Sequence, residues 1–292
     1  MPEGDTLFRA AASLQNYLAG RTITAAAARD VDLQRRAGQL VGRKVESVEA
    51  RAKHLLIHVE GDVVVHSHMK MNGSWRLLAP RPLRPGAGEV LALVAGERMA
   101  LCRNAPVVQV LEARQLDRVP GLSTLGPDVL RGADADAVAA RIAAIAPAAT
   151  MGDALLDQRL VAGLGNIWRC EALHAAGVSP RTPVVAVEHA TIAAAVGAGA
   201  ALMGRAATGS RPRAQVYGRT GRPCRRCGTP IVSARMGRDA RTAYWCPNCQ
   251  PETLKSAEHV ADGFVHDAAV PHSAHRGQPP RGRAGDGGAG SR

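Results

Sequence analysis

Aromatic side chains are scarce in this chain: Phe occurs twice and Tyr and Trp three times each among 292 residues, 3% in all. An interior must therefore be filled by Ala, Val and Leu. The 46% apolar content supplies them, and with 21% charged residues the composition is that of a soluble globular protein rather than a disordered chain. Lysine is scarcer in another sense: the 37 basic residues include only Lys44, Lys53, Lys70 and Lys255, so each lysine marks a position to inspect. No apolar run approaches the length of a membrane helix. The first thirty residues carry Glu3, Asp5, Arg9, Arg21, Arg29 and Asp30 where a secretion signal needs an apolar centre. The expectation is a cytoplasmic enzyme or binding protein long enough for two cores.

Acidic residues are nearly missing from one segment. Between Arg205 and Arg241 there are ten arginines (205, 211, 213, 219, 222, 225, 226, 235, 238 and 241) against Asp239 alone. A merely solvated surface mixes signs, so this segment is a candidate for contact with nucleic-acid phosphates. The formal net charge of +12 agrees, although an arginine- and alanine-rich composition inflates it.

Within that segment four of the six cysteines fall as Cys224-x2-Cys227 and Cys246-x2-Cys249. Two such pairs, eighteen residues apart, have the ligand spacing of a closed tetrahedral zinc site. Each pair forms a tight knuckle, and the residues between form a β-hairpin with Arg235, Arg238 and Arg241 near its tip. With four sulfur ligands the metal has no open position, so its role is structural. Disulfides are disfavoured in a reducing compartment. Cys102 and Cys170 have no such partners and are expected in the core. His54, His58, His66 and His68 alternate with apolar or small residues, and no carboxylate clearly joins them, so they are expected to be structural or surface groups.

Periodicity divides the rest. Residues 6–19 put Leu7, Ala11, Leu14 and Leu18 on one helical stripe, with Gly4 and Asp5 as capping candidates and Gly20 as a stop. From 22 to 118 the pattern is of short β-runs: KVESVEA, HLLIHVE, VVVHSHMKM, SWRLL, EVLALVA, RMALC and VVQVLEA. This predicts a sandwich. RVPGLSTLGPD (118–128) is a hinge-like break. Beyond it ADAVAARIAAI, GDALLDQRLVAG, NIWRCEALHAAG and EHATIAAAVGAGAALM are helical in pattern. From about Ser256 the chain reads as a disordered tail.

Four short stretches bear chemistry. MPEGDTLF presents Pro2 as a free secondary amine once Met1 is removed, with Glu3 beside it. RAKHLLIHVEGD sets Lys53 at the mouth of a strand, and SHMKMNGSW ends a strand in a polar turn carrying Met71. GLGNIWRCEAL places Gly163 and Gly165 in a tight turn before Asn166 at a helix start, where N–H groups converge on an anion. In this order, and followed by the cysteine hairpin, they resemble the Fpg/Nei family of DNA glycosylases from Pro2 to about Gln250. PEG, NGSW (72–75) and RTAYWCPNCQ (241–250) look more like the Nei, or endonuclease VIII, branch.

The resemblance implies an α+β fold. An N-terminal catalytic β-sandwich flanked by helices (1–118) and a hinge (119–130) precede a helix-two-turn-helix DNA-binding domain (131–215), a four-cysteine zinc finger (216–252) and the tail (253–292). It implies a bifunctional DNA glycosylase/AP lyase of base excision repair, removing oxidised bases, pyrimidines by the branch resemblance, and cutting the strand by β,δ-elimination. Pro2 is then the nucleophile that forms an iminium with C1′, Glu3 the proton shuttle and Lys53 a cationic donor at the sugar and phosphate. Met71 aligns with the apolar wedge that fills the space of the everted nucleotide, and Asn166 and Arg241 with the clamp on the flanking phosphates. The cofactor implied is one structural Zn2+ on Cys224, Cys227, Cys246 and Cys249. The partner is double-stranded DNA with damaged bases or abasic sites, bound by a monomer that is cytoplasmic and nucleoid-associated, with no membrane partner.

Three departures stand out. Ala52 precedes Lys53 where many members have Gly, Asp5 replaces a common proline, and LCRNAPVVQVL lacks the Arg-Arg-Phe-Gly pattern of the formamidopyrimidine branch. The competing function is a non-catalytic zinc-ribbon nucleic-acid binding protein. Composition and the zinc site fit that equally well, but the ordered set of Pro2, Glu3, Lys53, Asn166 and Arg241 is left without a reason.

Overall fold

The computed structural model describes residues 2–83 and 88–252; the expected tail lies outside the described residues. Helix α1 (Gly4–Leu18) buries the predicted stripe of Leu7, Ala11, Leu14 and Leu18 and stops before Gly20, whose φ of 79° lies in the left-handed region. Gly4 and Asp5 are not its caps. They sit inside the first turn, and the N-cap is Glu3, whose carboxylate is used elsewhere.

All seven anticipated β-runs are strands: β2 (Val45–Arg51), β3 (His54–Val59), β4 (Val63–His68), β5 (Ser74–Leu78), β6 (Glu89–Ala95), β7 (Arg98–Arg103) and β8 (Val107–Glu112). Two elements join them without a clear signal, β1 (Ile23–Ala28) and helix α2 (Val31–Gly38), the latter capped by Asp30 accepting from Leu33 N–H. Antiparallel sheets of order β1-β6-β7-β5 and β2-β3-β4-β8 face each other across one core. Leu55, Ile57 and Val65 from one sheet meet Leu91, Leu93 and Ala100 from the other, with Leu7, Leu14 and Leu18 of α1 alongside. The stretch read as a hinge adds Val119 and Leu122 to a small apolar cluster. Leu116, Val119 and Leu122 bury against Leu56 and Val64 on the outer face of β3 and β4.

The second core belongs to α3 (Ala135–Ile145), α5 (Asn166–Ala176) and α6 (His189–Ala207). The helical pattern over 152–163 is realised as a single turn, α4 (Met151–Ala154), and then loop. That loop has tertiary partners instead: Gly126 N–H donates to Gln158 O, Ala162 N–H to Pro127 O, and the Gln158 side chain binds Gly163 N–H and Leu164 O.

Against expectation, α6 is long and apolar enough to cross a membrane by length and composition, with mean hydropathy 1.3. Its Ile192, Ala195, Val196, Gly199 and Met203 are buried in the second core, so packing accounts for that apolarity. Finally β9 (Val232–Met236) and β10 (Arg241–Trp245) form the anticipated hairpin, with Met236 opposite Arg241.

Candidate active site

The N-terminal PEG stretch and the GLGN stretch, some 160 residues apart in sequence, form one structure. Gly4 N–H donates to Gly163 O at 3.2 Å, and Gly163 turns at φ 97°. Glu3 is buried with its carboxylate against the start of α5, where Oε1 accepts from Ile167 N–H at 2.8 Å and Oε2 from Trp168 N–H at 3.3 Å. The anion at this helix N-terminus is therefore the protein's own carboxylate, which caps α5 in place of a local side chain. The fit requires glycine at 165: a Cβ there would stand 2.2 Å from Glu3 Cδ. Asp5 is buried beside it and accepts from Trp168 Nε1 at 2.9 Å. The residue that departs from the common proline thus ties α1 to α5.

Lys53 follows Ala52, which sits at φ 52°, where glycine is at ease and alanine is strained by about 1–2 kcal/mol. The strain is held by Asp128. Its Oδ2 accepts from Ala52 N–H at 2.6 Å and its Oδ1 from Leu130 N–H at 2.9 Å. Lys53 Nζ then donates to Leu164 O at 2.7 Å. One carboxylate so fixes both the turn that aims the lysine and the backbone near the carbonyl that receives it. Asp128→Ala leaves two backbone N–H groups without their acceptor. It is expected to lower stability by about 2 kcal/mol in denaturant titration and to slow turnover through a displaced Lys53.

A cleft of about 240 Å³ is lined by Pro2, Glu3, Lys53, Met71, Asn166 and Arg241, so the structure brings together all six of the anticipated non-metal residues. Asn166 is the first residue of α5. Its Nδ2 donates to Thr242 O at 2.8 Å while its Oδ1 accepts from the fully buried Arg169, so the amide is oriented from both sides. Met71 is 49% exposed, with Arg241 Nη1 at 3.4 Å from its sulfur. Gln158, His68, Lys70 and Asp239 also line the cleft. Lys70 carried a signal in its rarity and Asp239 as the lone acid of its segment, whereas Gln158 carried none.

The electrostatics follow from burial. Desolvation raises the Glu3 carboxyl above its ordinary value, against the pull of the Ile167 N–H and of Lys53. Desolvation likewise lowers the Lys53 ammonium to about 8, opposed by Glu3 and reinforced by Arg241. Their mutual attraction does not overcome burial in either group, and each is left nearer to neutral pH than in water.

His54, His58 and His66 are engaged by neighbouring side chains. His54 Nδ1 and His66 Nε2 share a 2.9 Å hydrogen bond in the core. A carboxylate does join the set, contrary to the expectation: His58 Nε2 lies 3.1 Å from Glu49, which also binds Arg51 and Arg131. Among the described residues the cluster fitted for a metal is Cys224, Cys227, Cys246 and Cys249, whose sulfur atoms all lie within 4.8 Å of one another. Four thiolates at ~2.3 Å from a zinc ion stand ~3.8 Å apart, and Cys227–Cys246 at 3.4 Å and Cys224–Cys249 at 4.0 Å are close to that spacing. Backbone N–H groups of Arg226 and Cys249 point at Cys224 and Cys246 sulfur. The donor set fits one structural zinc. Cys102 and Cys170 are buried, and burial pushes the Cys102 thiol up to about 12.

Residues 1–104 match the formamidopyrimidine-DNA glycosylase N-terminal domain, 125–213 the H2TH domain of the same enzymes, and 221–251 the zinc finger found in FPG and IleRS. The chain belongs to the Fpg/Nei family. Among its relatives, a probable endonuclease 8 2 of Streptomyces coelicolor is 39% identical, the alignment covering 86% of this chain and 94% of that protein. A DNA-(apurinic or apyrimidinic site) lyase Nei2 of Mycolicibacterium smegmatis is 36% identical over 86% and 99%. These place the chain in the Nei branch of the Fpg/Nei family. The fold is shared with the Lactococcus lactis formamidopyrimidine-DNA glycosylase bound to DNA containing an AP site, at a TM-score of 0.76 and 21% identity over 86% of this chain and all of that one.

Proposed function

We propose that this protein is a bifunctional DNA glycosylase and AP lyase of base excision repair, acting as a monomer on damaged or abasic duplex DNA inside the cell, with Pro2 as its nucleophile. The observation that carries the proposal is the convergence of the Pro2 end, a buried carboxylate and a desolvated lysine in one cleft. The division of labour follows our sequence reading: an N-terminal catalytic sandwich, a hinge from 119 to 130, a helical DNA-binding domain and a zinc finger.

In this scheme the lesion nucleotide leaves the stack and enters the cleft. The Pro2 nitrogen, freed by removal of Met1, attacks C1′ as the base departs with a proton. Glu3, whose burial shifts it toward the protonated form, handles that proton, and its orientation is fixed by the Ile167 and Trp168 N–H groups. The nitrogen, having lost its proton, then expels O4′ from C1′, and O4′ takes up a proton as the sugar ring opens; the resulting iminium withdraws electrons from C2′, so a C2′ proton is lost and the 3′ phosphate leaves, and a second elimination expels the 5′ phosphate. Lys53 offers its ammonium to the developing negative charge on the sugar oxygen or phosphate. Met71 occupies the vacated stack, and Asn166 and Arg241 bind the flanking phosphates. Zinc on the four cysteines supplies rigidity to the hairpin that presents Arg241. The branch resemblance favours oxidised pyrimidines as the bases removed.

The test is borohydride trapping on a duplex with an abasic site or thymine glycol. A covalent adduct supports the proposal, and its absence with correctly processed protein leaves only a zinc-ribbon binding function. Two further outcomes follow. Lys53 is charged below its pKa and loses the charge above it, so single-turnover scission is expected to fall as pH rises through about 8. Lys53→Arg, which stays charged, is expected to remove that alkaline limb. Arg241→Ala is expected to weaken binding and reduce the salt slope by about 1, measured by anisotropy.

A further inference from the structure

A second cleft, of about 520 Å³, lies between the last turn of α5, the end of α6, the strap that follows it and the first zinc knuckle. It shares no lining residue with the catalytic cleft. Asn166 and His174 mark the two ends of α5, eight residues and therefore about 12 Å apart. Asn166 lines the catalytic cleft and His174 this one.

Arg205, Arg213, Arg225 and Arg226 line it, all exposed, and none forms an ion pair among the described residues. The acid in its wall, Glu171, is spent. Its carboxylate is turned inward and accepts from the backbone N–H groups of Gln215, Val216 and Tyr217 at 2.8, 3.1 and 2.8 Å. Those three bonds fasten the strap that carries Arg213, and Arg225 Nε donates to Ala214 O at 3.3 Å. The array is braced from beneath, where His174 Nε2 approaches Cys224 Sγ at 3.7 Å.

We propose that this cleft is a second phosphodiester-binding site, taking the backbone of duplex DNA outside the stretch gripped around the lesion. The proposal rests on the DNA-directed reading above. Guanidinium groups match phosphate oxygens in pairs, and a row of them held on a rigid frame suits a repeating polyanion better than a single ion. An acidic protein surface is the less fitting ligand, because the cleft offers no exposed aromatic anchor of the kind that protein interfaces centre on. A second grip also has a use. It keeps the enzyme on long DNA while the catalytic cleft is empty, at the high effective concentration that tethering gives.

The test uses the zinc-loaded full chain and the double variant Arg205→Ser/Arg213→Ser, both positions lying outside the cysteine knuckles. Binding is measured by anisotropy from 50 to 300 mM salt, on an undamaged duplex of 40 base pairs and on a 12-base-pair duplex with a central abasic site. On the long duplex the variant is expected to lose about tenfold in affinity and about 2 units of salt slope, each lost phosphate contact removing ~0.9. Arg205→Lys/Arg213→Lys is expected to recover most of both, since the charge remains. Unchanged affinity and slope on the long duplex would overturn the proposal. So would capture of poly-glutamate by the wild type but not by the serine variant with the DNA slope unaltered, which assigns the cleft to an acidic protein. A wild-type chain that gives no borohydride adduct on the short duplex refutes the catalytic reading and leaves the long-duplex result to stand separately.

Discussion

A variant with one residue inserted ahead of Pro2, so that the proline nitrogen becomes an amide, is expected to give no borohydride-trapped adduct and to cut abasic DNA at least about 10³-fold more slowly. An amide nitrogen has no available lone pair and forms no iminium, so the electron sink that acidifies C2′ is gone. The scaffold is left in place, because Glu3 is held by Ile167 and Trp168 N–H and Gly4 by Gly163 O, none of which involves the proline nitrogen. Binding to an abasic-site duplex is therefore expected to stay within about threefold of wild type, which separates lost chemistry from lost affinity. The competing amine is Lys53. With its pKa near 8 it has a substantial neutral fraction in mildly alkaline buffer and sits in the same cleft. If the inserted variant still traps and cuts at the wild-type rate, and Lys53→Gln does not, the nucleophile is the lysine and the scheme built on Pro2 fails.

How far the sequence disclosed this site depends on the range over which each interaction acts. Period-two alternation is local, so the seven β-runs from Val45 to Glu112 were legible, as were the two cysteine pairs, whose spacing reflects the knuckle itself. The strand β1, ITAAAA, was not, because alanine favours helix and only pairing with β6 makes it a strand. The segment 152–163 failed in the opposite sense. Its helical pattern gives way after Ala154 to a loop whose backbone is engaged by Gly126 and Pro127.

Long-range polar partners were the least legible. Glu3 capping α5, Asp128 holding Ala52, and Glu49 collecting His58, Arg51 and Arg131 join residues far apart in sequence, and no local pattern announces them. The candidate residues Pro2, Lys53, Met71, Asn166 and Arg241 were found through family resemblance. Their meeting in one cleft adds the physical reason why those motifs occur together.

Removing zinc, by chelation or by Cys246→Ser, is expected to weaken binding to lesion DNA at least about 100-fold while leaving the sandwich folded. The finger has little else to hold it. Its strands β9 and β10 are five residues each, and its apolar cluster is small, built on Val216, Ile231 and the cysteines themselves with Tyr217 and Tyr244 against it. A unit of about thirty residues with such a core does not stand without a staple. Cys246 is fully buried among these side chains, so a serine there loses a thiolate and buries a hydroxyl in its place. Losing the hairpin removes Arg241 from the cleft and the Thr242 carbonyl from Asn166, so both arms of the proposed phosphate clamp are disturbed at once. The sandwich core shares no residue with the finger, so its β-sheet circular dichroism is expected to persist while limited proteolysis cuts between residues 221 and 251. Metal analysis is expected to give one zinc per wild-type chain. A zinc-free protein that kept full affinity for lesion DNA would show that the hairpin holds its shape by packing alone, and the structural role assigned to the metal would be wrong.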